Sequence, residues 1–411
     1  MTFSHFHIEN YHTYFDSLFK LSAIKLTFFQ NYSSCKNFQL SDFLTSLETL
    51  TFDSQLTFML TQVRYSVKDM FFWSIGETLI FTLYAGIITF LYEVLDFTFL
   101  DVPWTPVALI GTAVAFMVGF QNNSAYDRIW EARKIWGAIV NTSRTWGMKV
   151  QDMVNNDHAE NPMSDSEIKE HKRVLVYRHI AWMTALRYAM RQRKTWETNH
   201  LSRSNRKWSE MLHIPERISS LEDNLLMYLS PAEHEYVLSK GNKQTALLYL
   251  QSKHIGELKD KGVIWGFSFL ELENVLEELF THQGKSERIK NFPYPRQYAS
   301  LAYYLVKLFV FLLPFGIVSE FAEIAGDIAV NHPVIGSYFI WLAIPFCACV
   351  SWAFHIMERM ARVGENPFEG GANDVPISSI SRGIEINLRQ MLDEDHEEIP
   401  GQFPEEKNVQ M

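Results

Sequence analysis

The stretch that decides the fold runs from Gly111 to Trp130 and reads GTAVAFMVGFQNNSAYDRIW. Two four-residue repeats in its first half fall on neighbouring faces of a helix. One repeat consists of the small residues Gly111, Ala115 and Gly119. The other consists of Thr112, Phe116 and Phe120. The pattern predicts a membrane helix with one face for close packing and another face lined by aromatic rings.

These two faces suggest different tasks. Small residues let a neighbouring helix approach closely, so we expect Gly111, Ala115 and Gly119 to form a packing face. In a symmetric ring of subunits, the Thr112, Phe116 and Phe120 face would surround an axis and form a narrow apolar neck. On spacing alone, the simpler interpretation that both phenyl rings pack inside one subunit is favoured.

Four stretches have the length and apolarity of membrane helices, which need about 20 mostly apolar residues to cross the hydrocarbon core. They are residues 71–99, 107–120, 298–319 and 334–357. Lys307 and Pro314 interrupt the third stretch. We therefore predict a multi-pass protein with four crossings, arranged as two pairs.

Charges beside these stretches predict the orientation, because cytoplasmic loops near membrane helices are enriched in Lys and Arg. The connections 93–101 and 320–327 carry acidic residues and no basic ones, so they should face outward, with Glu320 and Glu323 at the outer edge. The segment after the second stretch is basic: Arg128, Arg133, Lys134, Arg144 and Lys149. We expect this segment and both termini to lie in the cytoplasm, below a cell membrane.

Glu77 lies near the start of the first stretch, where an ionisable side chain is costly. A basic partner at the cytoplasmic edge, Arg128 or Arg133, would explain it. A side chain that simply reaches the interface would explain it equally well.

Between residues 141 and 295, apolar residues recur every three or four positions, as in soluble amphipathic helices. Sustained alternation typical of strands is missing from the sequence, so the fold class is all-α with a helical cytoplasmic bundle. The predicted units are 59–140 and 296–360 for the two membrane pairs, 141–295 for the cytoplasmic domain, and 361–411 for a C-terminal cytoplasmic segment. Residues 1–58 lack periodicity and are expected to form a poorly ordered extension.

Composition and motifs exclude several classes. A formal net charge of −10 argues against a nucleic-acid binder. No HExxH, GxSxG or P-loop pattern occurs, and the 14 histidines show no metal-ligand spacing, so we expect neither an enzyme nor a metal or cofactor. Cys347 and Cys349 point to different faces of a helix, so both are interpreted as small packing residues.

Several motifs, in order, resemble the prokaryotic branch of the bestrophin family over about residues 59–392. The segment FQNNSAYDRIWEARKIWGAIVNTSR is similar to the family signature after the pore helix, and GENPFEGGANDVPISSISRGIEINLRQ to the segment after the last membrane helix. YRHIAWMTALRYAMR and ERIKNFPYPRQYA resemble further family segments. The matching signature residues are Asn122, Asn123, Tyr126, Arg128, Glu131, Arg133, Asn366, Pro367 and Phe368.

The resemblance implies a homopentameric ion channel in membrane lipid, with Thr112, Phe116 and Phe120 at its neck. Bestrophins usually carry a bulkier apolar residue at the first of these positions, so Thr112 is a departure. Animal bestrophins bind calcium through an acidic run after Asn-Pro-Phe, and most of those carboxylates are missing here. We therefore expect no calcium clasp, and Asp374 is interpreted as a helix-capping or turn residue.

The resemblance favours conduction of chloride or another monovalent anion. The predicted neck is uncharged, and a phenyl ring favours an anion at its edge and a cation over its face. A monovalent cation channel is the first alternative. A secondary transporter is the second, since Pro314 and Pro345 could mark broken membrane helices.

Overall fold

The structure, a computed structural model, describes residues 73–197, 206, 214–371 and 373–403. Throughout these ranges the regular elements are helices and none is a strand, which confirms the all-α prediction. The predicted extension at residues 1–58 lies outside the described residues.

The described part of the chain contains twelve α-helices. They are α1 (Ile75–Glu93), α2 (Trp104–Met153), α3 (Asp165–Arg191), α4 (Pro215–Ile218), α5 (Leu221–Leu226), α6 (Pro231–Leu238), α7 (Lys243–Asp260), α8 (Gly266–Asn291), α9 (Arg296–Asn331), α10 (Pro333–Phe339), α11 (Ala343–Gly364) and α12 (Ile377–Met391). Short 3₁₀ turns at Thr98–Leu100 and Ile340–Leu342 precede α2 and α11.

Among the described residues, four helical segments are long and apolar enough to cross a membrane, as predicted: α1, α2, α9, and the run from α10 through α11. Pro314 lies buried inside α9 without ending it. Prolines are tolerated in membrane helices because neighbouring groups satisfy the backbone carbonyl that loses its partner. Cys347 is buried on α11, but the prediction for Cys349 is wrong, since that side chain is exposed.

Helix α2 is a single helix of 50 residues. At 1.5 Å per residue it is about 75 Å long, more than twice the thickness of the hydrocarbon core. No proline follows Pro106 within it, so the polar run after Phe120 changes the helix's surroundings without breaking its backbone. The unit boundary predicted at residue 140 falls inside this helix.

Two cores lie along α2. Its first half packs against α9 and α11 through apolar residues such as Val114, which clusters with Phe309 and Leu313. Its second half packs against α8 and α12 in a larger core that includes Trp136 and Trp146. The hydrophobic core of the helical domain therefore begins before residue 140.

The helical domain is built around α3 and the C-terminal helix. Helix α3 begins with a capping box in which Ser164 and Glu167 satisfy each other's backbone N–H groups. Helix α12 packs on α2 and α3, and its Leu388 is fully buried in their shared core. The segment predicted as a separate C-terminal unit thus contributes to the core of the helical domain.

Candidate functional site

The predicted neck residues lie on an exposed face of α2. Phe116 is 76% exposed and Phe120 is 50% exposed. The Thr112 side chain is exposed too, and its hydroxyl donates to the carbonyl oxygen of Ala108 over 3.0 Å. The simpler interpretation, packing inside one subunit, is therefore wrong for Phe116. The Phe120 ring lies 6.1 Å from the ring of Tyr298, at the start of α9.

The predicted packing face holds only in part. Gly111 is buried, and a Cβ there would lie 2.7 Å from the Phe309 ring. Ala115 and Gly119 are exposed, and a Cβ at Gly119 would meet nothing within 4 Å. The face that packs within the chain follows a mixed three- and four-residue spacing, as along any helix with one buried stripe. Its members are Val107, Gly111, Val114, Val118, Gln121 and Ala125.

Arg128 fastens α2 to two other parts of the chain. Its Nε donates to the carbonyl oxygen of Glu365 over 2.8 Å, and its Nη2 donates to the carbonyl oxygens of Ile289 and Phe292 over 3.1 and 2.9 Å. Asn122 makes a similar link, from Nδ2 to the carbonyl oxygen of Met357 over 3.0 Å. These two signature residues hold the membrane helices and the helical domain together.

The prediction that Glu77 pairs with Arg128 or Arg133 is wrong. Glu77 pairs with Arg359, on α11, with an oxygen-to-nitrogen distance of 3.1 Å. Arg128 donates its hydrogen bonds to backbone carbonyl oxygens, and Arg133 is exposed on α2. Nothing near Glu77 in the sequence indicates a partner 282 positions away.

Other signature residues on α2 remain near the surface. Tyr126 and Trp130 are exposed and stack with their ring centroids 6.2 Å apart. Glu131 pairs with Lys134 over 2.7 Å, one helical turn away. Asn123 is exposed. Asn122 and Arg128 therefore join α2 to other segments, whereas Asn123, Tyr126 and Glu131 lie near the surface of α2.

The Asn-Pro-Phe element forms a buried turn organised by Asp374. Its carboxylate accepts three backbone N–H hydrogen bonds of 2.7 Å, from Phe368, Gly370 and Val375. This confirms the turn role predicted for Asp374. Phe368 is fully buried, has a φ of +74°, and contacts the Trp136 ring.

This turn does not fit a calcium ion. Arg191 lies against Asp374, with Nη1 2.9 Å from Oδ2, so a guanidinium already balances the carboxylate charge. Calcium needs six to eight oxygen ligands. In the part of the chain that the structure describes, no group of three or more His, Cys, Asp or Glu side chains is placed to hold a metal ion.

Three carboxylates share a pocket at the other end of the membrane helices. Asp101, Glu320 and Glu323 line it, together with Tyr92 and Thr105. It is about 730 Å³ in volume and lies where α2 begins, opposite the end that enters the helical domain. This placement is consistent with the predicted outer edge.

Sequence reasoning missed Gln121 and Glu365. Gln121 lies on the buried stripe of α2, and its Nε2 donates to Oε1 of Glu365 over 2.7 Å. The available signal was a polar residue within an apolar stripe, three residues after Val118. Arg296 also lies near this pair, with Nη1 4.0 Å from Oε2 of Glu365.

Comparisons with known proteins agree with this architecture. The family described as "Bacterial/Fungal Bestrophin protein" matches residues 54–390. The voltage-dependent anion channel-forming protein YneE of Escherichia coli (strain K12) is 24% identical over 317 residues, covering 77% of this chain and 85% of that protein. The voltage-dependent anion channel-forming protein RSc3414 of Ralstonia nicotianae is 26% identical over 290 residues, covering 71% and 78%.

A solved structure shows the same fold. The bacterial bestrophin homolog from Klebsiella pneumoniae superposes with a TM-score of 0.62 at 21% identity, covering 78% of this chain and 99% of that chain. The family match spans well over half of the sequence and includes α2, the helical domain and most of α12. The chain belongs to the bacterial and fungal bestrophin family.

Proposed function

We propose that the chain is one subunit of a homopentameric channel that passes chloride or other small monovalent anions through a central pore. The observation that carries the proposal is Phe116, a phenyl ring 76% exposed on a membrane helix whose opposite face is buried. The relatives from Escherichia coli and Ralstonia nicotianae bear names that describe anion channel-forming proteins, which supports this choice of ion.

In this proposal, Thr112, Phe116 and Phe120 line a neck that narrows the pore over two helical turns. Apolar rings hold water weakly, so an ion must shed part of its hydration to pass. The electropositive edges of the phenyl rings would then favour an anion. Ala115 and Gly119, which are open in the single subunit, would receive the α2 helix of a neighbour.

Both termini and the helical domain would lie in the cytoplasm. The basic residues of α2 below the neck support this orientation, because positive charge is enriched on that side of a membrane. The acidic pocket at Asp101, Glu320 and Glu323 would then face outward.

The same pocket favours a second candidate function, conduction of monovalent cations. Carboxylates at the mouth of a pore concentrate cations and repel anions. The neck itself carries no charge, so no charged side chain there repels a cation.

Reconstitution of the purified protein in a planar bilayer under a potassium chloride gradient tests the proposal. We expect unitary currents that reverse near the equilibrium potential of chloride. Reversal near the potassium potential would establish the cation alternative, and substrate-coupled flux without unitary current would indicate a transporter.

The neck assignment has its own test. Phe116→Ala and Phe120→Ala should raise conductance or alter gating while pentamers persist. Phe90→Ala is the matched control, because Phe90 is a similarly exposed phenyl on α1. Equal currents in Phe116→Ala and Phe90→Ala would place the pore elsewhere.

A further inference from the structure

A buried carboxyl lies beside the lower end of the proposed neck. Glu365 directly follows α11 and is only 1% exposed. Its partner Gln121, which is 2% exposed, is the residue after Phe120 on α2. The hydrogen bond between them therefore joins the pore helix to the end of the last membrane helix, one residue beyond the neck.

Each partner has one polar atom with no hydrogen bond among the described residues. These atoms are Oε1 of Gln121 and Oε2 of Glu365, and both are buried. If the carboxyl is ionised, both are acceptors without a donor, which is costly in a protein interior. One proton on Oε2 removes both defects, because the new O–H can donate to the amide oxygen while the amide N–H still donates to Oε1.

The charged and titratable groups around Glu365 come from several elements. Nη1 of Arg296, on α9, lies 4.0 Å from Oε2, and the Arg296 side chain is 41% exposed. Arg128, on α2, donates to the backbone carbonyl of Glu365, and the Tyr294 phenol lies on the connection before α9. On α11 itself, Glu358 and Arg362 pair with each other.

These groups act in opposite directions on the proton. The hydrogen bond from the Gln121 amide and the charge of Arg296 favour the ionised carboxylate, but water screens the exposed charge of Arg296. Burial favours the neutral acid and is the largest influence, so the pKa of Glu365 is raised. The geometry and the surroundings therefore agree on a carboxyl that keeps its proton above the usual range.

Packing makes α2 sensitive to this pair. A Cβ on Gly364 would lie 3.2 Å from Ala125 and equally close to Ile129, so the backbone before Glu365 rests directly on α2. Arg128 also fastens this backbone to α2. A change in the bonding of Glu365 therefore acts on the helix that carries Phe120.

We propose that Glu365 is a positioning residue that holds the lower end of the neck through a protonated, cyclic acid–amide pair with Gln121. The inference rests on the proposed function, since Glu365 affects permeation only if α2 lines the pore. When the proton leaves to solvent, the O–H···O bond is lost and the amide N–H···O bond remains. Gln121, next to the neck residue Phe120, then keeps one of its two hydrogen bonds to the Glu365 side chain, so conductance should change with pH.

The test is current through the reconstituted channel in symmetrical chloride, measured as the cytoplasmic pH is varied. The wild type should show one step in conductance or open probability. Glu365→Gln should lose the step and behave at every pH like the wild type at low pH, because two amides can form the same cyclic pair. Glu277→Gln, which changes an exposed carboxylate on α8, should retain the step.

A second measurement does not depend on conduction. In infrared titration, the band of a protonated carboxyl should disappear as pH rises in the wild type and be missing from Glu365→Gln. Should Glu365→Gln fail to fold, Gln121→Leu should move the midpoint of the step. A conducting wild type without a step, a step that persists in Glu365→Gln, or an unchanged infrared band would overturn the inference. A wild type that passes no current counts against the proposed function instead.

Discussion

The two halves of α2 use aromatic residues in opposite ways. In the membrane half, Phe116 is 76% exposed in the single subunit. In the half that enters the helical domain, Trp136 is fully buried and contacts the Phe368 ring. One continuous helix thus presents rings to the proposed pathway at one end and, at the other end, packs into the larger of the two cores along it.

This contrast explains how a pore helix can remain rigid without much packing of its own. The membrane half is held by a narrow stripe of small and β-branched residues, while the lower half is surrounded by α3, α8 and α12. Because the backbone does not break between them, the lower core also fixes the direction of the upper half. Damage to the lower half should therefore cost folding, and damage to the exposed upper face should cost function.

The largest effect should come from Trp136→Ala. Truncating a fully buried tryptophan removes its apolar contacts and leaves a cavity, with a typical cost of about 3–5 kcal/mol in the free energy of unfolding. Trp130→Ala, on the exposed face of the same helix, should change stability by less than about 1 kcal/mol. Denaturant unfolding of the detergent-solubilised protein measures both. Similar losses of unfolding free energy in the two variants would show that both faces of α2 contribute equally to folding, contrary to this division.

A smaller effect is expected within the membrane half, where two glycines of one predicted face differ. Gly111→Ala places a Cβ 2.7 Å from the buried ring of Phe309, and such overpacking typically costs about 1–3 kcal/mol. Gly119→Ala, with open space around it, should leave the unfolding of a subunit within about 0.5 kcal/mol of the wild type.

Thermal unfolding in detergent distinguishes these two variants, and cross-linking reports assembly. Loss of pentamers in Gly119→Ala, with the subunit still folded, would show that a neighbouring subunit packs on this glycine. A destabilised Gly119→Ala subunit would mean that the open face is filled within the chain.

The membrane helices were predictable because apolar length is a local property that any window of sequence reveals. The continuity of α2 was not, because the polar run from Gln121 to Asp127 looks like the end of a membrane segment. Asn and Ser are weak helix formers, but contacts with distant segments hold this run in the helix: Gln121 bonds to Glu365, and Asn122 bonds to the carbonyl oxygen of Met357. The sequence therefore showed where the apolar stretch ends but not that the helix continues.

The candidate site was predictable only where neighbours on one helix define it. The four-residue spacing of Thr112, Phe116 and Phe120 identified a shared face, and all three are exposed. Pairs between distant segments, such as Glu77 with Arg359, depend on how four helices pack, which no local pattern contains. Position on the buried stripe, rather than residue size alone, separated Gly111 from Ala115 and Gly119.

The helical domain around the lower half of α2 also contains a row of hydrogen-bonded side chains that links α3 to α7. Nη1 of Arg178 lies 3.1 Å from Nδ1 of His254, and Nε2 of His254 lies 3.1 Å from Nδ1 of His171. A guanidinium only donates, so Nδ1 of His254 must accept, and its Nε2–H then donates to His171. This row of hydrogen bonds therefore requires a neutral His254. Arg178 also pairs with Glu233, at the start of α6.

The smallest effect should be the pH dependence that His254 gives to stability. Burial, then the charges of Arg178, His171 and Lys261, lower the pKa of His254 to about 3, against about 6.5 in an unfolded chain. Between about pH 6.5 and about pH 3 only the unfolded state binds the proton. The free energy of unfolding therefore decreases as the pH is lowered, by at most about 1.4 kcal/mol per pH unit. His254→Gln should reduce this slope from about pH 6 to about pH 5, measured by denaturant unfolding at each pH. His396→Gln, at an exposed position, should not. An unchanged slope in His254→Gln would mean that the contacts between Arg178, His254 and His171 open before the helical domain unfolds. The domain around the lower half of α2 would then be less rigid than its core suggests.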